Sequence, residues 1–320
     1  MAHTIVFLFA GQGSQYYGMG RELYEGHAGF RRWMERGLAI AEPLLGLSLA
    51  QLIYEPRPDR FEPFDRTLYT HPAIFLINFS LAKALEEEGV VPACLLGYSL
   101  GEAAAWAVAG ALRLEEGLAF VIRSARLIEQ RTPPAGMLAV LGPRALAEEH
   151  RELFAGTTVA AVNYDRHFVI AGLEPDLLRV QAGLKTRDVL CQRLPIQRGF
   201  HSPLLDPIAQ SFTSLAAQFT WGTPRLPVVS CLSGRRVAPS ELTPEYWWRV
   251  LRQPAYFAKA ILALEEEGPH LYVEVGPSGT LAGFIKYLPG KHPASRALPV
   301  LTPFGRDLAG LSQLQAELKA

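Results

Sequence analysis

The sequence predicts an α/β protein, a large domain on a parallel sheet with a smaller α+β unit inserted into it, and three observations carry that prediction. Short, continuously apolar segments alternate with helical patterns. One such segment passes through a glycine-framed serine straight into an alanine-rich run. A β, α, β, β, α, β succession sits in the middle of the chain. The alternation is that of an open, doubly wound sheet whose strands are buried on both faces. At 320 residues the chain suits one large α/β domain or a large domain carrying an insert.

Taken in order, Ile5 to Ala10 is an apolar run ending in Gly11-Gln12-Gly13, which reads as a first strand and a tight turn. Pro72 to Glu87 carries apolar residues at helical spacing, and Val90 to Leu96 is a second short strand. After Pro133-Pro134 the pattern changes. Strands are expected at 137–141, 158–163, 168–171 and 189–194, with helices at 144–154 and 176–184. This is the split βαβ, ferredoxin-like arrangement, which places a small subdomain at 134–197 inside a large catalytic domain made of 1–133 and 198–320. Strands at 227–230 and 271–275 complete the large domain.

Composition removes several classes of function. Thirty-one basic side chains balance 31 acidic ones, so no global field favours nucleic acid or an anionic membrane. The three cysteines, Cys94, Cys191 and Cys231, have no metal-ligand or disulfide-framework spacing and read as buried thiols in a reducing compartment. The first residues lack a basic leader and a small-residue cleavage site, and no apolar run reaches the ~20 residues of a membrane helix. The expectation is a soluble, cytoplasmic protein with no metal and no cofactor of its own, since no nucleotide-binding glycine motif occurs in a suitable context.

The most informative segment is Gly97-Tyr98-Ser99-Leu100-Gly101-Glu102 between the second strand and the run Ala103 to Ala111. A G-x-S-x-G turn from strand to helix is so tight that the residues two before and two after the serine must be small. It lifts the hydroxyl clear of the backbone and aims a helix N-terminus at it, the arrangement of an α/β-hydrolase-like nucleophile. A lone match is weak evidence, but the strand before and helix after strengthen it. Serine needs a base. Of the eight histidines, His3 is terminal; His150, His270 and His292 lie in polar or loop-like contexts; and His27, His71 and His167 have no obvious turn to present them. His201, in Gly199-Phe200-His201-Ser202-Pro203, follows a predicted strand, where sites of α/β sheets lie. An unplaced histidine is more often a core or surface residue, so the residues alone leave His201 a candidate.

Five stretches together resemble the malonyl-CoA:acyl-carrier-protein transacylases and the acyltransferase domains of polyketide and fatty acid synthases: FAGQGSQYYGMG (9–20), GYSLGE (97–102), NYDRHFVIAG (163–172), FHSPLLDP (200–207) and VEVGPSGTL (273–281). The resemblance implies that His201 is the base acting on Ser99, that an acyl-serine forms, and that the backbone N–H groups of Gln12 and Leu100 hold the oxyanion. Asn163 matches an asparagine near the acyl entrance, although a core-facing strand asparagine reads equally well. Phe200 and Arg198 fall in the RGFH tetrad whose counterparts tune the acyl pocket. Arg198 could meet a phosphopantetheine phosphate or an acidic carrier protein, or simply be an exposed arginine at a strand end.

Three departures from the family bear on substrate. Malonyl-using members carry an arginine twenty-five residues after the serine to pair with the free carboxylate, and here that position is Ser124. Arg123 and Arg126 flank it, but a helix turns ~100° per residue, so neither side chain leaves in the required direction. Tyr98 replaces a histidine. Val250 stands, on an ungapped count from Pro254, where many members place an amide that orients the histidine, so another partner is expected for His201, such as the backbone carbonyl after Val275. Loss of the arginine together with GYSLGE looks like the discrete acyl hydrolases that clear stalled acyl groups from carrier proteins in polyketide pathways with free-standing acyltransferases. The leading expectation is such a proofreading hydrolase, acting on acyl-carrier-protein thioesters, with phosphopantetheine or coenzyme A only as part of the substrate. The alternatives are a trans-acting acyltransferase for a non-malonyl unit and a catalytically weak docking module for carrier proteins.

Overall fold

The computed structural model describes residues 4–55 and 62–319, so His3 lies outside the described residues. Its strands are, in chain order, β1 Thr4–Phe9, β2 Cys94–Gly97, β3 Gly136–Val140, β4 Thr157–Tyr164, β5 His167–Gly172, β6 Cys191–Arg193, β7 Val228–Ser230, β8 Arg235–Arg236, β9 Ala255–Tyr256, β10 His270–Glu274 and β11 Arg296–Pro299. They form two sheets. The larger has the order β11-β10-β1-β2-β7-β8 and is parallel except for β8 at its edge. The chain moves from β1 outward to β2 and β7 and later returns to lay β10 on the other side of β1, so the strand order reverses beside β1. The crevice beyond the carboxyl ends of strands at such a reversal is where α/β sheets bind ligands.

Alternate residues of β1 serve two different cores. Phe7 and Phe9 pack with helix Thr67–Glu87 and its neighbours, whereas Val6, Leu8 and Ala10 face a second core. Residues with a period of two on a strand buried on both faces must all be apolar, which is why β1 reads as a continuous run. The smaller sheet has the order β6-β3-β5-β4-β9. Its first four strands are antiparallel neighbours in the order of a ferredoxin-like unit, and the fifth, Ala255–Tyr256, joins β4 in parallel from outside the 134–197 segment. Here too alternation divides the faces. Met137 and Ala139 pack toward the large sheet's second core, and Leu138 and Val140 toward helix Glu174–Lys185.

Several boundaries differ from the sequence reading, for identifiable reasons. The second strand starts at Cys94, because Pro92 offers no N–H for the ladder and Val91 is exposed. The helical pattern is read from Pro72, yet the helix starts at Thr67, where the Leu68 N–H donates to Glu129 Oε1 at 2.8 Å from helix Leu114–Arg131. A distant carboxylate supplies the cap that local sequence lacks. The helix expected at 144–154 is confined to Ala145–Glu149. Among the described residues no helix is long and apolar enough to cross a membrane.

Candidate active site

Ser99 sits at the end of β2 with φ of 53°, in the left-handed region, and helix Gly101–Val108 starts two residues later. The flanking glycines are required by close approach. A Cβ on Gly101 would lie 2.0 Å from the Phe9 carbonyl oxygen, and one on Gly97 would lie 2.4 Å from Glu102 Cα. The turn is thus pressed between its own helix and the end of β1, and Ser99 is left pointing into the crevice.

His201 also has a left-handed backbone, φ 57°, and is buried. Its Nε2 lies 2.7 Å from Ser99 Oγ and its Nδ1 2.7 Å from the Gln253 carbonyl oxygen. Because a carbonyl only accepts, Nδ1 carries the proton, and Nε2 is left free to accept the Ser99 hydroxyl. The sequence reading anticipates a backbone carbonyl but assigns it to the residue after Val275; the partner is Gln253. The reason lies in Pro254. Helix Pro244–Arg252 stops before that proline, and Gln253 is forced into an extended conformation, φ −92° and ψ 157°, which turns its carbonyl out of the helix. Leu251 from the same helix end accepts the His201 N–H at 3.1 Å. Val250 lines the pocket beside Ser99. Burial pushes the His201 imidazole down to about 4, against the opposing pull of the Gln253 carbonyl.

The turn that carries Gln12 is held by helix Thr67–Glu87. Asn78 grips Ala10 at two points, its Oδ1 accepting the Ala10 N–H and its Nδ2 donating to the Ala10 carbonyl, both at 3.0 Å. The Gln12 side chain donates to Thr70 Oγ1 at 2.8 Å and is thereby drawn toward that helix. The backbone N–H groups of Gln12 and Leu100 find no acceptor among the described residues. Both residues line the same pocket as Ser99.

This pocket is mainly apolar, lined by Phe120, Phe200, Phe212, Trp247 and aliphatic residues, with Ser124 and His71 among them. Ser124 is buried, and its hydroxyl has no partner. Its neighbours turn away: Arg123 donates to Gln218 Oε1 at 3.3 Å, and Arg126 to the Leu44 carbonyl at 2.6 Å. No residue lining the pocket carries a cation at neutral pH, because burial holds the His71 imidazole at about 3. Phe200 lies against His71, ring centroids 5.4 Å apart.

The remaining candidates lie elsewhere. Asn163 is buried on β4, where its Oδ1 accepts the Tyr98 hydroxyl at 2.9 Å and its Nδ2 meets His167 Nδ1 at 3.0 Å. With Tyr98 it lines a cleft between the two sheets that Gln12 also borders, adjoining the Ser99 pocket without entering it. Arg198 is not brought to Ser99. Its guanidinium donates to the Glu129 carbonyl at 3.0 Å and the Gln197 carbonyl at 2.8 Å, at a separate surface cleft. Sequence reasoning misses His71, Asn78 and Gln253. The Gln-Pro pair at a helix end is a signal that could have found the last. It also misses Glu102, which accepts from Ser230 Oγ at 2.5 Å and from the Tyr246 hydroxyl, tying the helix behind Ser99 to the helix that ends at Gln253.

A strand-to-helix serine, a histidine within hydrogen-bond reach and two free backbone donors beside them are the parts from which α/β enzymes with a serine nucleophile are built. Comparison narrows this: residues 6–311 match the acyl transferase domain family, and the chain belongs to it. A curated relative, the polyketide biosynthesis acyltransferase homolog PksD of Bacillus subtilis, is 38% identical over 98% of this chain and 97% of its own. A loading acyltransferase from the avermectin modular polyketide synthase superposes with a TM-score of 0.90 at 28% identity, covering 99% of this chain and 100% of its own. The malonyl-CoA:acyl carrier protein transacylase of Xanthomonas oryzae superposes at 0.83 with 29% identity and 98% coverage of both chains.

Proposed function

We propose that this chain is a serine acyl hydrolase that removes short, uncharged acyl groups from acyl-carrier-protein thioesters in polyketide biosynthesis, a proofreading role in the cytoplasm with no cofactor of its own. The observation that carries this reading is the pocket beside Ser99, where Ser124 stands in place of a cation and Arg123 and Arg126 are engaged elsewhere. Bringing a malonyl carboxylate into such a site without a partner costs several kcal/mol, whereas a neutral acyl chain enters an apolar lining at no such cost.

In this reading Ser99 Oγ attacks the thioester carbonyl as its proton passes to His201 Nε2, across the 2.7 Å contact. The developing oxyanion accepts from the N–H groups of Gln12 and Leu100, which are free to donate. The carrier's phosphopantetheine thiol departs with the proton from His201, leaving acyl-Ser99. Water then gives its proton to His201 and attacks the ester, releasing the free acid and restoring Ser99. The Gln253 carbonyl keeps Nδ1–H fixed throughout. A second reading, transfer of the acyl group to another thiol, is favoured by the names of the relatives, an acyltransferase homolog and a loading acyltransferase. It shares every step up to acyl-Ser99.

The test is time-resolved mass spectrometry of acetyl-, butyryl- and malonyl-loaded carrier protein, with and without a second, unloaded carrier. Free acid, with malonyl spared and the second carrier unlabelled, is expected; label on that carrier makes the enzyme a transferase. Rapid malonyl use would overturn the reading of Ser124. Ser124→Arg is expected to raise malonyl use relative to acetyl at least about tenfold, one good ion pair in a buried site.

A further inference from the structure

The pocket beside Ser99 is apolar in most of its lining, yet it holds several polar groups with nothing to bind. Both ring nitrogens of His71, the Ser124 hydroxyl and the Trp247 indole N–H are buried and find no hydrogen-bond partner among the described residues. His71 is 4% exposed, Ser124 6% and Trp247 3%, so bulk solvent does not satisfy them. Leaving one such group unpaired costs about 1–3 kcal/mol, a deficit that a ligand with a matching polar group can make up. His71 is held by packing, with Phe200 against its ring, rather than by hydrogen bonds. Its neutral ring offers one N–H donor and one bare acceptor nitrogen.

We propose that the acyl groups this pocket selects carry an uncharged oxygen substituent, a hydroxyl or keto group on the acyl chain, which His71 and Ser124 recognise by hydrogen bonds. A hydroxyl can donate to the bare imidazole nitrogen and accept from Ser124, and a keto oxygen can accept from the imidazole N–H. A carboxylate is refused, because no cation meets it. A purely hydrocarbon chain is disfavoured because it leaves these groups unpaired, and sites built this way discriminate far more strongly than apolar pockets do. The inference deepens the function proposed above and rests on Ser99 being acylated, not on whether water or a thiol takes the acyl group afterwards.

The test is a competition between two nearly isosteric thioesters, 3-hydroxybutyryl- and 3-methylbutyryl-carrier protein, scored by mass spectrometry as the ratio of the two acyl-Ser99 adducts at early times. The ratio cancels any difference in the folded fraction. The wild-type protein is expected to favour the hydroxylated chain at least tenfold. His71→Phe and Ser124→Ala should each lower the ratio several-fold, and His71→Gln, which restores a donor and an acceptor, should recover part of it. A ratio near one in the wild type, or one unmoved by His71→Phe, overturns the inference; so does the absence of any acyl-Ser99. A strong preference followed by label on an acceptor carrier would leave the inference standing and defeat the hydrolase reading. Free acid released without preference would do the reverse.

Discussion

His201 is bonded through both ring nitrogens, and the two bonds make different demands on it. The Gln253 carbonyl fixes the tautomer, and burial keeps the ring neutral, at about 4. A histidine lowered in this way loses its proton-accepting form only below that value. The acidic limb of kcat/KM against pH is therefore expected near 4 rather than near the ordinary ~6.5, and a limb at 6.5 would contradict the burial argument. Because the orienting group belongs to the backbone, Gln253→Ala should stay within a few-fold of wild type, whereas His201→Ala should lose about a thousandfold or more in steady-state kinetics. This also marks the limit of legibility at the residue scale. Ser99 and His201 could be paired from the GYSLGE and FHSPLLDP motifs, and the structure sets them 2.7 Å apart. A carbonyl that could belong to any residue type leaves no such trace, and His71 becomes visible only once helix Thr67–Glu87 is placed over the pocket.

The elements around the site hold each other by contacts too tight to yield. The helix behind Ser99 packs so closely on β1 that a methyl group at Gly101 would meet the Phe9 carbonyl at 2.0 Å, backbone against backbone. Gly101→Ala is expected to destabilise the fold by about 3 kcal/mol or more, several degrees in thermal melting, since neither partner is a flexible side chain. An unchanged melting temperature would show that the turn can relax. Apolar runs identified β1, β2, β7 and β10, because strands buried on both faces keep polar residues to few positions, such as Ser230 in β7 and Glu274 in β10. β8, β9 and β11, two to four residues long, were not anticipated. Segments that short are paired by their neighbours' geometry and show no periodicity of their own.

Across the whole molecule, buried ionisable groups couple stability to pH. Burial raises Glu274 to about 8 and Glu102 to about 7, while His71 and His201 are lowered. A carboxyl whose folded value exceeds its unfolded value of 4.5 binds more protons in the native state, so its stabilisation is full below 4.5 and is lost as pH rises through the folded value. The histidines act in the opposite sense, but their contribution is complete above about 6.5. Between pH 6.5 and 8 the carboxyl effect is thus exposed, and the melting temperature is expected to fall. Glu274→Gln, which keeps an acceptor for the Ala282 N–H, should flatten most of that fall; a parallel decline in the variant would place the cause elsewhere.

The backbone at Ser99 and His201 departs from what stability alone would choose. Ser99 and His201 both have positive φ, a conformation that costs an L-residue about 1 kcal/mol or more and glycine almost nothing. Both Ser99→Ala and Ser99→Gly remove the hydroxyl, so the difference between them reports the strain less glycine's larger entropy in the unfolded chain. The glycine variant is expected to melt about a degree or more above the alanine variant, with neither forming an acyl adduct. Selection for thermal resilience alone would therefore drift away from serine at position 99, and a screen of this protein for stabilised variants needs an activity readout beside the melting curve.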